Sequence, residues 1–175
     1  MQLPSLDLCP AIGGAYVVAL RVGAPLSVRL GRAEPVRLAA GRYLYCGSAY
    51  GPGGLRARIG RHFRRDKSIR WHIDQLTTTS DVLGAWTIPQ GDECELVRRL
   101  GFLGSPIAGF GASDCPACRS HLLHWPQRIA RSALTAALAA NAAHPLWLNG
   151  PATSPPPRAA TSRDISRLRP SPGPE

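Results

Sequence analysis

The sequence has almost no lysine. Of its 21 basic residues only Lys67 is one, and the rest are arginine. Acidic residues are scarce too, 11 against those 21, which leaves a formal charge of +10. That balance excludes an acidic, self-solvating chain. It favours a polyanionic partner, because each neutralised phosphate releases a counterion. Arginine also accumulates in GC-rich coding sequence, so charge points to nucleic acid and the chemistry has to come from motifs. No run of ~18 apolar residues is present, which excludes a helical membrane span. The opening MQLPSLDLCP lacks the basic start and apolar centre of a secretory leader. The five cysteines, Cys9, Cys46, Cys94, Cys115 and Cys118, are odd in number. With no leader, they argue against a secreted disulfide scaffold and for a reducing cytoplasm.

What is present reads as a small α+β domain. Residues 15–22 (AYVVALRV) are β-branched and apolar and predict a strand buried on both faces. Residues 26–30 and 35–40 alternate apolar and polar and predict two half-buried strands turning at Gly31. Residues 41–46 predict another strand, and the four together an antiparallel meander. A Gly/Pro-rich loop, SAYGPGG, follows. A helix is expected from about Gly54, where Leu55, Ile59 and Phe63 form one apolar stripe among arginines. WHIDQL predicts a short helix or turn, residues 81–88 a strand, and residues 92–100 a helix with Asp92 and Glu93 at its positive end. SHLLHW is a last strand. The expected division is a domain over residues 1–126, an Ala-rich helical extension over 127–148, and a disordered Pro/Arg-rich tail over 149–175.

The residues with chemical potential fall in a definite order. Tyr16 lies early in the first strand and Tyr45 late in a later one. Arg58 and His62 are four apart on the helix that follows, hence on one face. Glu93 and Glu95 open a separate helix. A phenol pair, a cation, a candidate base and an acid are the parts that phosphodiester hydrolysis needs. An arginine can stabilise the extra charge of the transition state bidentately. A carboxylate can hold a hard divalent cation that keeps its own waters.

The strings GAY, RYLYCGSA, LRARIGRHF and the Glu-led DECEL resemble the GIY-YIG nuclease superfamily over residues 14–100, and the longer text resembles a small uncharacterised branch of it. Members of that branch also occur fused to a base-excision glycosylase in some archaea, which implies a DNA context and DNA-repair partners. The resemblance implies a small antiparallel or mixed sheet flanked by helices. The long spacing from Tyr16 to Tyr45 adds an extra N-terminal hairpin. It implies catalytic roles for Tyr16, Tyr45, Arg58 and His62, with His72 in WHID as a further candidate. Glu93 matches the metal-binding glutamate, with Glu95 as the rival, and the ion is one Mg²⁺ or Mn²⁺. Gly47, Ser48, Arg56, Arg61 and Arg65 are the expected substrate contacts.

Plainer readings stand beside these. The tyrosines can be ordinary sheet residues, the arginines a solvated basic face, and Glu93 a helix-terminal charge. Cys115, Cys118 and His121 form a C-x-x-C-x-x-H run that can supply three zinc ligands, with Cys94 or His124 as a fourth. Two buried thiols in a tight turn is the alternative. The expected function is metal-dependent endonucleolytic cleavage of nucleic acid, DNA first. A nucleic-acid-binding module without turnover and a zinc-stabilised interaction domain are the rivals.

Overall fold

A nine-residue strand that is apolar until Arg21 can only sit where something covers both of its faces and both of its edges. In the computed structural model, which describes residues 6–31, 34–111, 115–139 and 144–151, it does. Strand β1 (Gly14–Val22) lies at the middle of a six-stranded sheet of order β6-β7-β4-β1-β5-β8. Its partners are β4 (Gly41–Ser48) and β5 (Asp81–Pro89), both antiparallel. Strand β7 (Leu122–Trp125) follows on β4, and the two-residue β6 (Ser105–Pro106) on β7. Strand β8 (Leu146–Asn149) closes the other side on β5.

Alternation along β1 divides the core in two. Tyr16, Val18 and Leu20 face one side and pack with Leu55, Ile59, Ile73 and Leu76. These come from α1 (Gly54–Phe63) and α2 (Asp74–Thr79) and the segment between them. Ala15, Val17 and Ala19 face the other side and pack with Leu96 and Leu100 of α3 (Glu93–Leu100) and Leu134 and Leu138 of α4 (Arg131–Leu138). The class is α+β, as expected.

The expected meander is not formed. Strands β2 (Leu26–Val28) and β3 (Val36–Leu38) make a separate two-stranded ladder, and β1 pairs directly with β4. Three-residue strands cannot compete for the edges of β1 against β4 and β5, which each offer a ladder along most of its length. The hairpin instead lies over α2. The Gln75 side chain accepts from Arg29 N at 3.0 Å and donates to Arg29 O at 2.9 Å, pairing with it as a strand would.

Helix α1 starts where expected, for a steric reason. Gly54 has φ +56°, and a Cβ there would overlap the Ile12 carbonyl.

The segment 127–148 departs from the helical extension. Among its described residues the helix is α4, Arg131–Leu138, and its last part is β8, an integral edge strand. Trp147 packs edge-on against Trp86 at 4.4 Å, and Trp86 Nε1 donates to Thr135 Oγ1 at 2.9 Å. The apolar stretch LWL is too short to announce itself by periodicity, and the open edge of β5 recruits it. The sheet therefore runs past the expected boundary at residue 126. Of the expected disordered tail, Asn149 ends β8, while residues 152–175 lie outside the described residues. Among the described residues no helix is long and apolar enough to cross a membrane.

Candidate active site

Register brings the two tyrosines to one face. Tyr16 pairs with Gly47, and Val18 with Tyr45, so Tyr16, Val18, Tyr45 and Gly47 all point the same way. Gly47 has to be glycine, because a Cβ there would overlap the Tyr16 phenol. Helix α1 crosses this face and brings His62 to Tyr16, with Nε2 and Oη 2.8 Å apart in a hydrogen bond.

His62 is fully buried and does not line the cavity described below. The expected catalytic role is thus corrected to one behind Tyr16, since no substrate can touch this ring. Burial first, then Lys67 and the nearby arginines, push its pKa down to about 3, against the pull of Asp74. The ring is neutral. Its Nδ1 has no hydrogen-bond partner. An orphaned lone pair costs less than an orphaned N–H, so we assign the proton to Nε2, which donates to Tyr16 Oη. The phenolic proton of Tyr16 then points elsewhere, toward the cavity. Burial and the nearby Tyr45 hold Tyr16 protonated well above the usual phenol range.

His62 should also make the protein acid-labile. An unfolded histidine takes a proton near pH ~6.5, and this one only near about 3. Between those values the unfolded chain binds more protons, so stability falls as pH drops through that window, by up to ~1.4 kcal/mol per pH unit. Urea unfolding of the protein and of His62→Gln, each at pH 7 and pH 5, checks this. The variant should lose less stability on acidification than the parent, and equal losses would refute it.

A cavity of about 370 Å³ opens beside the tyrosines. Tyr16, Tyr45, Gly47, Ser48, Arg58, His72 and Glu93 all line it, joined by Arg70, Trp71, Gly111 and His121. Helix α3 packs on the opposite face of the sheet from α1, yet its first residue, Glu93, reaches the same cavity as Arg58. Asp92 caps that helix by accepting from Glu95 N at 2.8 Å. The Arg58 guanidinium lies 4.4 Å from the Trp71 ring, and among the described residues it is in no ion pair.

Other expected contacts are used elsewhere. Arg56 donates to the carbonyls of Cys9 (2.7 Å) and Asp7 (3.3 Å), fastening the N-terminal segment to α1. Arg61 donates to Asp74 at 2.7 Å and to the Ser68 carbonyl at 2.9 Å. Arg65 pairs with Asp81 at 3.0 Å. None of the three lines the cavity: Arg61 is committed to the buried Asp74, while Arg56 and Arg65 lie at the surface outside it. Glu95 is held by Arg98 and Arg99 at 2.7 Å each, which pull its pKa down to about 2, and it too lies off the cavity.

Sequence reasoning missed the residues that organise the cavity wall. Asp74 is fully buried and accepts from Arg70 N (2.9 Å), Trp71 N (3.0 Å) and Arg61. It ties down the turn that presents Arg70, Trp71 and His72. Burial alone would raise its pKa, but these hydrogen bonds prevail and lower it. A lone aspartate just after an arginine-rich run was the available signal. Lys67 donates to the Arg61 and His62 carbonyls and to Thr77 Oγ1, closing the end of α1. A compact ammonium fits those three oxygens where a planar guanidinium would not.

The thiols also converge. Ligand atoms of Cys94, Cys115, Cys118 and His121 all lie within 4.8 Å of one another. His124, the other expected fourth ligand, instead meets the Tyr43 ring edge-on at 5.5 Å.

Searches of curated proteins and of solved structures give no match. Residues 15–143, most of the chain and all of the cavity wall, match the family described as Domain of unknown function DUF123, and the chain belongs to that family.

Proposed function

We propose that the cavity is the active site of a metal-dependent endonuclease that hydrolyses phosphodiester bonds, with DNA as substrate, acting in the cytoplasm. The observation that carries this reading is the meeting, in one cavity, of two tyrosines, two arginines, two histidines and a single carboxylate drawn from six segments of the chain. The resemblance to GIY-YIG nucleases supports it and supplies the DNA context. Five free cysteines fit a reducing compartment.

The residues present suit a hard cation. Glu93 is the one carboxylate among the lining residues, and Tyr45 and Ser48 add a phenol and a hydroxyl oxygen to the same lining. Mg²⁺ or Mn²⁺ takes oxygen ligands and keeps several waters, so one carboxylate is enough. When bound, such an ion neutralises charge on the leaving oxygen.

The chain's own residues do the rest. Arg58, its plane set by Trp71, grips the scissile phosphate, and Arg70 adds a second positive contact. Tyr45 accepts the proton of the attacking water as the new P–O bond forms and the bond to the leaving oxygen breaks. A phenol in water holds its proton to about pH 10, so this step draws on the positive charge around it. Tyr16, fixed by His62, keeps its proton and offers its O–H as a hydrogen-bond donor to the water or to a phosphoryl oxygen.

The test is incubation with labelled branched, nicked, flapped and single-stranded substrates, with Mg²⁺ or Mn²⁺. Metal-dependent nicking is expected, reduced by about 10²-fold or more in Glu93→Gln. Retained binding with no cleavage of any substrate by the parent protein would overturn the enzyme reading in favour of a binding module.

A further inference from the structure

The described residues hold a second cluster of metal-ligand type, set against the cavity but built from different chemistry. Cys94 sits in the first turn of α3, Cys115 and Cys118 in the loop before β7, and His121 just ahead of that strand. Cys94 Sγ and Cys115 Sγ are 3.4 Å apart. A disulfide needs ~2.05 Å. Ligands of a tetrahedral zinc, at ~2.3 Å for sulfur and ~2.0 Å for nitrogen, stand roughly 3.5–3.8 Å from one another. The Cys94–Cys115 separation is too long for a bond between the sulfurs and close to that of two ligands sharing one ion, and the four ligand atoms lie within 4.8 Å of one another. His121 is 4% exposed, and its Nε2 has no hydrogen-bond partner. Three thiols and an imidazole are soft ligands that select zinc and reject magnesium.

We propose that Cys94, Cys115, Cys118 and His121 form a closed zinc site that sets the position of Glu93 in the cavity wall. Four protein ligands leave no open coordination position, so the ion is structural. Its ligands come from two parts of that wall. Cys94 directly follows Glu93. His121 lines the cavity itself, and its carbonyl accepts from Cys46 N at 2.9 Å, next to Tyr45. Its own N–H donates to the Phe110 carbonyl at 2.8 Å, one residue from Gly111. The ion thus joins the first turn of α3 to the β4–β7 side of the cavity and fixes the distance from Glu93 to Tyr45. The positioning role rests on Glu93 being the magnesium-binding carboxylate of the proposed active site, whereas zinc binding does not.

Metal analysis of the full chain, purified under reducing conditions without chelator, should find about one zinc per chain. Reduced, stripped protein titrated with Co²⁺ should show the visible bands of tetrahedral thiolate coordination. Cys118→Ser should lose both signals, and Cys118→His should recover them. Protein with neither zinc nor a cobalt spectrum, whether its thiols are free or bridged, overturns the site. This readout needs no catalysis, so it stands if the endonuclease reading fails. For the positioning role, stripped or Cys118→Ser protein should need about tenfold more Mg²⁺ for half-maximal cleavage, with Cys118→His close to the parent. An unchanged Mg²⁺ requirement in zinc-free protein that still cleaves would overturn that role. Should Cys118→Ser fail to fold, the cobalt titration of the parent chain decides the site.

Discussion

Replacing Arg58 with alanine is expected to lower single-turnover cleavage by about 10²–10³-fold, the usual loss when one preorganised donor to a developing charge is removed. The melting temperature should hardly move. Among the described residues this guanidinium makes no ion pair, and it lies over the face of Trp71 at 4.4 Å. The two readouts together separate a catalytic role from a structural one. Arg58→Lys should recover little, because an ammonium offers a point charge in place of a planar fork and does not stack on an indole in the same way. Arg56→Ala is the informative control. That side chain leaves the same helix but bonds to Cys9 and Asp7 carbonyls, so it should affect stability more than rate. If Arg58→Ala cleaves at the parent rate, the cavity has been assigned the wrong chemistry.

The second large effect is on the fold. Asp74→Ala should destabilise the protein by about 3–5 kcal/mol, as breaking a buried ion pair does. In a chain of this size that lowers the melting temperature by about 10 °C or more. The substitution strands Arg61 and Lys67, whose side chains are 14% and 3% exposed, without their counter-charge. It also frees the N–H groups of Arg70 and Trp71. Asp74→Asn keeps the shape and loses the charge, so it should fall between. The pKa of Asp74 is lowered in the fold. Its contribution is therefore present above the unfolded value near ~3.9 and lost as pH falls below it. That acid loss comes on after the one due to His62. Thermal melts of the three proteins at neutral pH decide the matter: an alanine variant as stable as the parent would show the network to be dispensable.

How much of this could be read from the chain alone depended on whether the cause was local. Strand β1 and the Leu55–Ile59–Phe63 stripe were legible because a period of two or of nearly four carries its own meaning. The convergence of Tyr16, Tyr45, Arg58 and Glu93 on one cavity was implied by the resemblance to GIY-YIG nucleases, not by any local pattern. The seven basic residues between positions 56 and 70 were not legible individually. They look alike in sequence, yet Arg56, Arg61, Arg65 and Lys67 bond to oxygens of the chain itself, and Arg58 and Arg70 face the cavity. Which oxygen an arginine meets is decided by tertiary neighbours such as Asp74, far outside any local window. A weaker salt dependence than seven free cations would give is the expected result, since each internal pair removes one phosphate contact. Strand β8 escaped for a related reason. Its three apolar residues acquire meaning only when β5 offers them an edge.

The lone lysine has one more consequence. Lys67 Nζ is enclosed by three oxygens and almost wholly covered, and burial first of all draws its pKa down to about 8. A folded copy of this chain therefore presents no lysine to acylating reagents, to acetyl transfer or to ubiquitin conjugation. Every lysine-directed mark on the protein has to be written on molecules that have opened around α1, so such a mark is a record of unfolding.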